Sequence, residues 1–296
     1  MISIREQLNR GVLVCPRTRM QLKEQGNLLV SEDGAAYTLT EHGVPILLID
    51  TAEAEKYSRG SAEMSRRYTE EAVARKSSIL ERLKAFFFQD HRTKASRDAF
   101  DKAISSAPPD ALCLSIGGGP DRPDPKLVNL NIGPFPNVDI VADAHQLPYA
   151  DNSADAIYCE AVLEHLENPV KATEEMFRIL KPGGKMIAIT PFLQAFHGYP
   201  NHFQNFTVIG HSRLLSRAGF LVIESGTCVG PMVALVDMVY VFLCNYVPKF
   251  LNIPLRAAWK VIGAIVVPLG SFLGDKPNGY IMASTTYVLA EKSNRS

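Results

Sequence analysis

The sequence predicts an α/β fold, a largely parallel sheet covered by helices on both faces. Three observations carry that prediction. From Ala111 onward, short apolar runs alternate with helical stretches. A glycine-rich turn, Gly117-Gly118-Gly119, follows the first of these runs directly. Further along, Lys181-Pro182-Gly183-Gly184 stops a helix just before another apolar run, because proline removes a donor and glycine supplies positive φ. With 296 residues, of which 46% are hydrophobic, the chain can bury a full core and is long for one domain. A main domain with a smaller piece is therefore expected.

Three regions separate on composition. Residues 1–50 read as a β-rich module with turns at Gly26-Asn27, Asp33-Gly34 and His42-Gly43, closing on the apolar run Val44 to Ile49. Residues 51–110 read as a charged helical connector in which Ile79, Leu80, Leu83, Phe86 and Phe87 recur at helical spacing. Residues 111–296 form the main domain, interrupted at 227–278 by an apolar helical insertion.

Within the main domain Ala111 to Ile116 is a buried strand, and the turn after it lets backbone approach a ligand closely at the carboxyl edge of the sheet. A second strand, Leu127 to Ile132, carries Asn131 at its end, and a third, Val138 to Val141, leads into Asp143 and Ala144. A fourth strand ends near Cys159 and Glu160, a helix runs through Leu180, and Lys185 to Thr190 is the fifth strand. Gly219 to Glu224 reads as the sixth strand and Tyr280 to Glu291 as the last. Only about ten residues separate the first two strands, with Pro120, Pro123 and Pro125 among them, so loops are expected where crossover helices normally lie.

The ordered series LPYADNSADAIYCEAVLEHL, then ILKPGG, then an apolar strand resembles class I methyltransferases dependent on S-adenosylmethionine (SAM), a family that includes quinone and small-metabolite methylases. The resemblance covers about Ala111 to Ile223, and the shortened crossovers resemble a compact subgroup. It implies a Rossmann-like seven-stranded sheet and a SAM site at Gly117, Gly118, Gly119, Asn131, Asp143, Ala144 and Glu160. Two departures stand out: Ser115 replaces a usual acidic residue two places before the first glycine, and Asn131 replaces a usual ribose-binding acid. In the first module, Cys15-Pro16-Arg17-Thr18 with Asp33-Gly34 and Gly43-Val44-Pro45 resembles small zinc ribbons that accompany methyltransferases. Tetrahedral zinc needs four Cys or His ligands, and Thr18, Val30 and Asp33 hold three of those places. A ribbon without metal is expected.

After the fifth strand, residues 191–207 are rich in aromatics and histidines and are placed to seat an acceptor. Methyl transfer needs alignment and, at oxygen or carbon, removal of a proton, so His197, His202 and Tyr199 are the catalytic candidates. His165 reads as a structural brace. No cluster with metal spacing appears in the sequence, and a metal-independent reaction is expected. Lys plus Arg and Asp plus Glu both total 31, which gives no field to recruit nucleic acid. Five scattered cysteines and a charged amino terminus point to the cytoplasm. The apolar insertion, with Lys249, Arg256 and Lys260 near its centre, fits a hairpin lying on the inner face of a membrane or covering an apolar pocket. Packing on the core, or a homodimer through residues 229–273, is the alternative. The expected function is methylation of a small, glycan-like or lipid-linked acceptor; the competing class is a catalytically degenerate SAM-binding scaffold.

Overall fold

The computed structural model describes residues 1–49, 91–119, 122–197 and 201–293. The expected helical repeat from Ile79 to Phe87, and Tyr199, lie outside the described residues. The elements are α1 (Ile4–Asn9), β1 (Leu22–Gln25), β2 (Leu28–Ser31), β3 (Ala36–Thr38), β4 (Ile46–Leu47), α2 (Lys94–Phe100), β5 (Cys113–Ile116), β6 (Leu127–Asn131) and β7 (Ile140–Ala142). They continue with β8 (Ala154–Glu160), α3 (Pro169–Ile179), β9 (Leu180–Pro191), α4 (Val208–Arg217), β10 (Leu221–Val229), α5 (Pro231–Tyr246), α6 (Lys249–Gly270) and β11 (Thr285–Glu291).

The main sheet has eight strands in the order β10-β11-β9-β8-β5-β6-β7-β4. From β9 to β4 all neighbours are parallel, and β11 lies antiparallel between β9 and β10. The order reverses at β5, so the crevice beyond its carboxyl end is the switch point at which open α/β sheets take ligands. The expected seven strands gain an eighth, because β4 comes from the amino-terminal segment and pairs Ile46 with Val141 and Leu47 with Ala142. It covers backbone groups that β7 would otherwise expose at an open edge.

Three strand boundaries differ from the sequence reading. β9 starts at Leu180 instead of Lys185: Leu180 pairs with Ala154, a register shift follows, and Gly183 donates its N–H to the carbonyl of Lys292 at 2.7 Å. The Pro-Gly-Gly stretch is thus a bulge inside the strand. β10 runs on to Val229, and β11 begins only at Thr285, with a 3₁₀ turn at Gly279–Met282 before it.

No helix occupies the first two crossovers among the described residues. Arg122 ties them instead: its guanidinium reaches the Asn137 carbonyl at 2.9 Å and forms an ion pair with Asp139 at 2.9 Å. Asp139 in turn accepts from the backbone N–H of Asn129 at 2.7 Å, which locks β6 to the loop.

The amino-terminal segment is continuous with the main core. Leu13, Leu29 and Leu47 belong to the same buried cluster as Leu114, Leu130, Ile157, Met186 and Val288. Tyr149, fully buried, donates its hydroxyl to Gln7 at 2.8 Å. On one face Asn168 caps α3 and Thr207 caps α4, each accepting an amide N–H near the start of its helix. On the other, Ala99 and the π turn residues Ala103 and Ile104 pack on Cys113, Tyr158 and Ile187.

The predicted insertion is a pair of helices. Trp259 donates to the Val236 carbonyl at 2.9 Å, while Gly263 and Gly270 let the helices close, since a Cβ there would fall 2.8 Å from Val236 and 2.0 Å from Met232. Few of its side chains are buried. Leu235, Met238, Phe242 and Tyr246 on α5, and Phe250, Ile253, Val261 and Ile265 on α6, remain exposed. Lys249–Pro268 is long and apolar enough to cross a membrane by length and composition, whereas α5 is shorter. Lys249 begins α6, and Arg256 and Lys260 lie over the Tyr240 ring of α5, at 5.1 and 5.3 Å from its centroid.

Candidate functional site

The carboxyl ends of β5, β6, β7 and β8 bring together the turn at Gly117 to Gly119, Asn131, Asp143 and Glu160. Gly117 and Gly119 have φ of 75° and 56°, which side-chain-bearing residues rarely adopt. Gly118 is held by space: a Cβ would fall 2.3 Å from Asn129 Oδ1 and 2.4 Å from Ser115 Oγ. Among the described residues neither buried oxygen has a hydrogen-bond partner. Ser115, where the resemblance has an acid, thus supports the underside of the turn together with Asn129, whose amide donates to the Gly119 carbonyl at 2.8 Å. The turn presents backbone, with room for a ligand to approach it closely, and so fits an adenosyl or nucleotide group.

Asn131 accepts the Gly133 N–H on Oδ1 at 3.2 Å. The second lone pair of that oxygen and the amide N–H pair are the groups it offers to a ligand. Asp143 accepts from both the backbone N–H and the ring of His145 on Oδ1, at 2.9 and 2.8 Å. Burial opposes its charge, but these bonds hold its carboxyl below the usual range. Among the described residues Oδ2 accepts no hydrogen bond, and Ala144 follows with its side chain half-buried.

Glu160, named for the SAM site, is engaged by protein side chains. Arg92, within the connector and just before α2, pairs with both its oxygens at 2.8 and 2.7 Å, and the Tyr158 hydroxyl also bonds to it. Desolvation works against the Arg92 charge, but Glu160 outweighs it and raises the guanidinium pKa. Sequence reasoning missed Arg92 because nothing local distinguishes one arginine in a charge-rich stretch.

The acceptor loop gathers three imidazoles. The rings of His197 and His202 lie 4.3 Å apart, and those of His165 and His197 5.3 Å apart. His202 is a brace: its Nδ1 accepts the His197 N–H at 3.2 Å and its Nε2 bonds to Asn205 Oδ1 at 2.6 Å, so both nitrogens are occupied. His197 places Nδ1 against the Ala195 carbonyl at 3.0 Å, and His165 places Nδ1 against the Asn201 carbonyl. Those contacts leave Nε2 of each ring as the lone pair. Glu164, fully buried, sits beside them with Oε1 3.6 Å from His165 Nε2. Desolvation pushes its carboxyl up to about 7.

Two expectations change here. His165 stands in the cluster and is not merely a brace of the turn. The absence of a group with metal spacing holds only along the sequence, since donor atoms of Glu164, His165 and His197 lie within 4.8 Å of one another in space. The loop is also tied to the root of the helical pair: Phe192 and Leu193 donate to the carbonyls of Ser284 and Ala283, at 2.8 and 3.1 Å, and the N–H of Ser284 donates to Val229 at 2.9 Å.

Residues 124–188 match the methyltransferase domain family. A demethylmenaquinone methyltransferase of Renibacterium salmoninarum is 47% identical over 53 residues, which cover 18% of this chain and 22% of that one. The ubiquinone/menaquinone biosynthesis C-methyltransferase UbiE of Klebsiella pneumoniae is 34% identical over 104 residues, 32% of this chain and 37% of the relative. The match thus spans well under half the length of either relative. Among solved structures, a putative sarcosine dimethylglycine methyltransferase from Galdieria sulphuraria aligns over 68% of this chain and 84% of its own, at 16% identity and a TM-score of 0.42. The strand order reverses at β5 as in open α/β sheets, and residues 124–188 of this eight-stranded Rossmann-like sheet match the methyltransferase domain family.

Proposed function

We propose that the chain is a SAM-dependent methyltransferase acting on an apolar acceptor at a membrane surface. The observation that carries the reading is the meeting of the backbone-only turn at Gly117 to Gly119 with Asn131 and Asp143 at successive strand ends, inside the segment matched by the family. Asp143 Oδ2 would accept the adenine amine, Asn131 would donate to a ribose hydroxyl, and the glycine turn would lie along the methionine portion. SAM supplies an electrophilic methyl group. The chain aligns the acceptor, excludes water, and receives the acceptor proton at the Nε2 lone pairs of His165 or His197.

The relatives named for quinone methylation favour an aromatic carbon acceptor over a glycan. The exposed apolar stripe on α5 and α6, tied at its root to the acceptor loop, favours a lipid surface as its cover. A second copy of the chain is the alternative cover. Ser115 and the engagement of Glu160 by Arg92 favour the second reading, a SAM-binding scaffold without turnover.

Transfer of label from methyl-labelled SAM to demethylmenaquinol in vesicles, with catechol in solution as comparison, tests the activity. Label in the lipid fraction is expected. SAM binding without label in either acceptor would favour the scaffold.

A metal-free ribbon ancestry for the first module belongs to the same proposal. Cys15, Thr18 and Asp33 stand at three of the four ligand places, and Cys15 Sγ lies 3.1 Å from the Tyr37 hydroxyl.

A further inference from the structure

We propose that Glu164, His165 and His197 form a binding site for one divalent first-row transition ion of the zinc or iron(II) class. Two imidazoles and a carboxylate suit ions of intermediate softness. The outer contacts are those that metal-bound histidines require. His165 and His197 each direct Nδ1 to a backbone carbonyl, Asn201 and Ala195 respectively, which fixes the tautomer and leaves Nε2 unprotonated.

The spacing agrees. Two donors held about 2.0–2.1 Å from a tetrahedral ion stand about 3.4 Å apart. Glu164 Oε1 and His165 Nε2 are 3.6 Å apart, and one donor atom from each of Glu164, His165 and His197 lies within 4.8 Å of the other two. His197 is exposed on its loop, and His202 and Asn205 brace that loop, so a small rotation of one side chain completes the set.

The second, independent observation is Glu164. Its side chain is fully buried, and among the described residues neither carboxylate oxygen has a hydrogen-bond partner. A carboxylate in that position asks for a cation. Asp, Glu and Cys side chains elsewhere in the site do not fill this role: Glu160 is already paired with Arg92, and Cys159 lies buried within β8.

A bound ion would occupy the Nε2 lone pairs that take the acceptor proton in its absence, so the site is tested by ion binding alone, without SAM. Chelator-treated protein is titrated with Co²⁺ and followed by visible absorption, with Zn²⁺ as competitor. One ion per chain is expected, displaced by Zn²⁺. Glu164→Gln and His197→Ala should each weaken binding about tenfold or more, while Cys15→Ser leaves it unchanged. His197 lies on an exposed loop, so its variant reports on the site even if Glu164→Gln alters folding. Absence of Co²⁺ or Zn²⁺ binding at millimolar concentration would overturn the proposal and leave a proton-sharing Glu164–His165 pair. So would binding that His197→Ala does not change, or that Cys15→Ser abolishes.

Discussion

The two sides of the sheet's carboxyl edge are built differently. On the β5–β7 side, shortened loops are pinned by polar groups that bond one another in series: Arg122 with Asp139, Asp139 with Asn129, Asn129 with the glycine turn. On the β8–β9 side, the histidine loop is tied to a pair of helices whose outer surface is largely unpartnered apolar side chain. The first arrangement is rigid and specific for close backbone approach. The second offers area and little polar direction, which suits an acceptor met at an apolar surface. Cofactor and acceptor recognition should therefore be separable by mutation.

The largest effect is expected at Gly118. Its missing side chain faces Asn129 and Ser115 at less than 2.5 Å, so Gly118→Ala must displace the turn. SAM affinity should fall a hundredfold or more, about 2.7 kcal/mol. Calorimetry checks it, with circular dichroism to show that the fold persists. An unchanged affinity would mean that the turn does not contact the cofactor.

Next comes the support of the acceptor side. His211, fully buried, packs between β9 and β11 with Nδ1 3.2 Å from Thr190 Oγ1, and desolvation lowers its pKa to about 3. The folded state thus keeps it neutral while the unfolded chain takes up a proton below about 6.5. Stability is fully present above that pH and is lost as pH falls toward 3. Between pH 6.5 and 5 the loss should reach about 2 kcal/mol. His211→Asn should flatten that dependence in urea titrations, and equal slopes for both proteins would contradict the assignment.

A smaller effect sharpens the contrast. Phe250 is 77% exposed on α6, and Phe250→Ser should reduce co-sedimentation with anionic vesicles about tenfold, about 1.4 kcal/mol. SAM affinity should not change. Binding of neither protein to vesicles, together with a concentration-dependent dimer, would assign the stripe to a second copy of the chain.

The same division explains what the sequence disclosed. Strand ends, glycine turn and Asp143 were legible because each is a local pattern, an apolar run followed by a specific residue type. The engagement of Glu160 by Arg92 was not, since 68 residues separate them along the chain. Nor was the cluster of Glu164, His165 and His197, where a buried Glu-His pair in an apolar run was the only available signal. β4 was read as an apolar run closing its own module because sequence does not show which sheet edge an apolar run will join.

Calorimetric titration of SAM, with its demethylated product as control, into wild type and Asp143→Ala tests the central claim most directly. One site in the wild type is predicted, weakened tenfold or more in the variant, about 1.4 kcal/mol, because the proposed adenine contact is made by the Asp143 carboxylate. Equal affinities for the two proteins, or no binding by wild type, would contradict it.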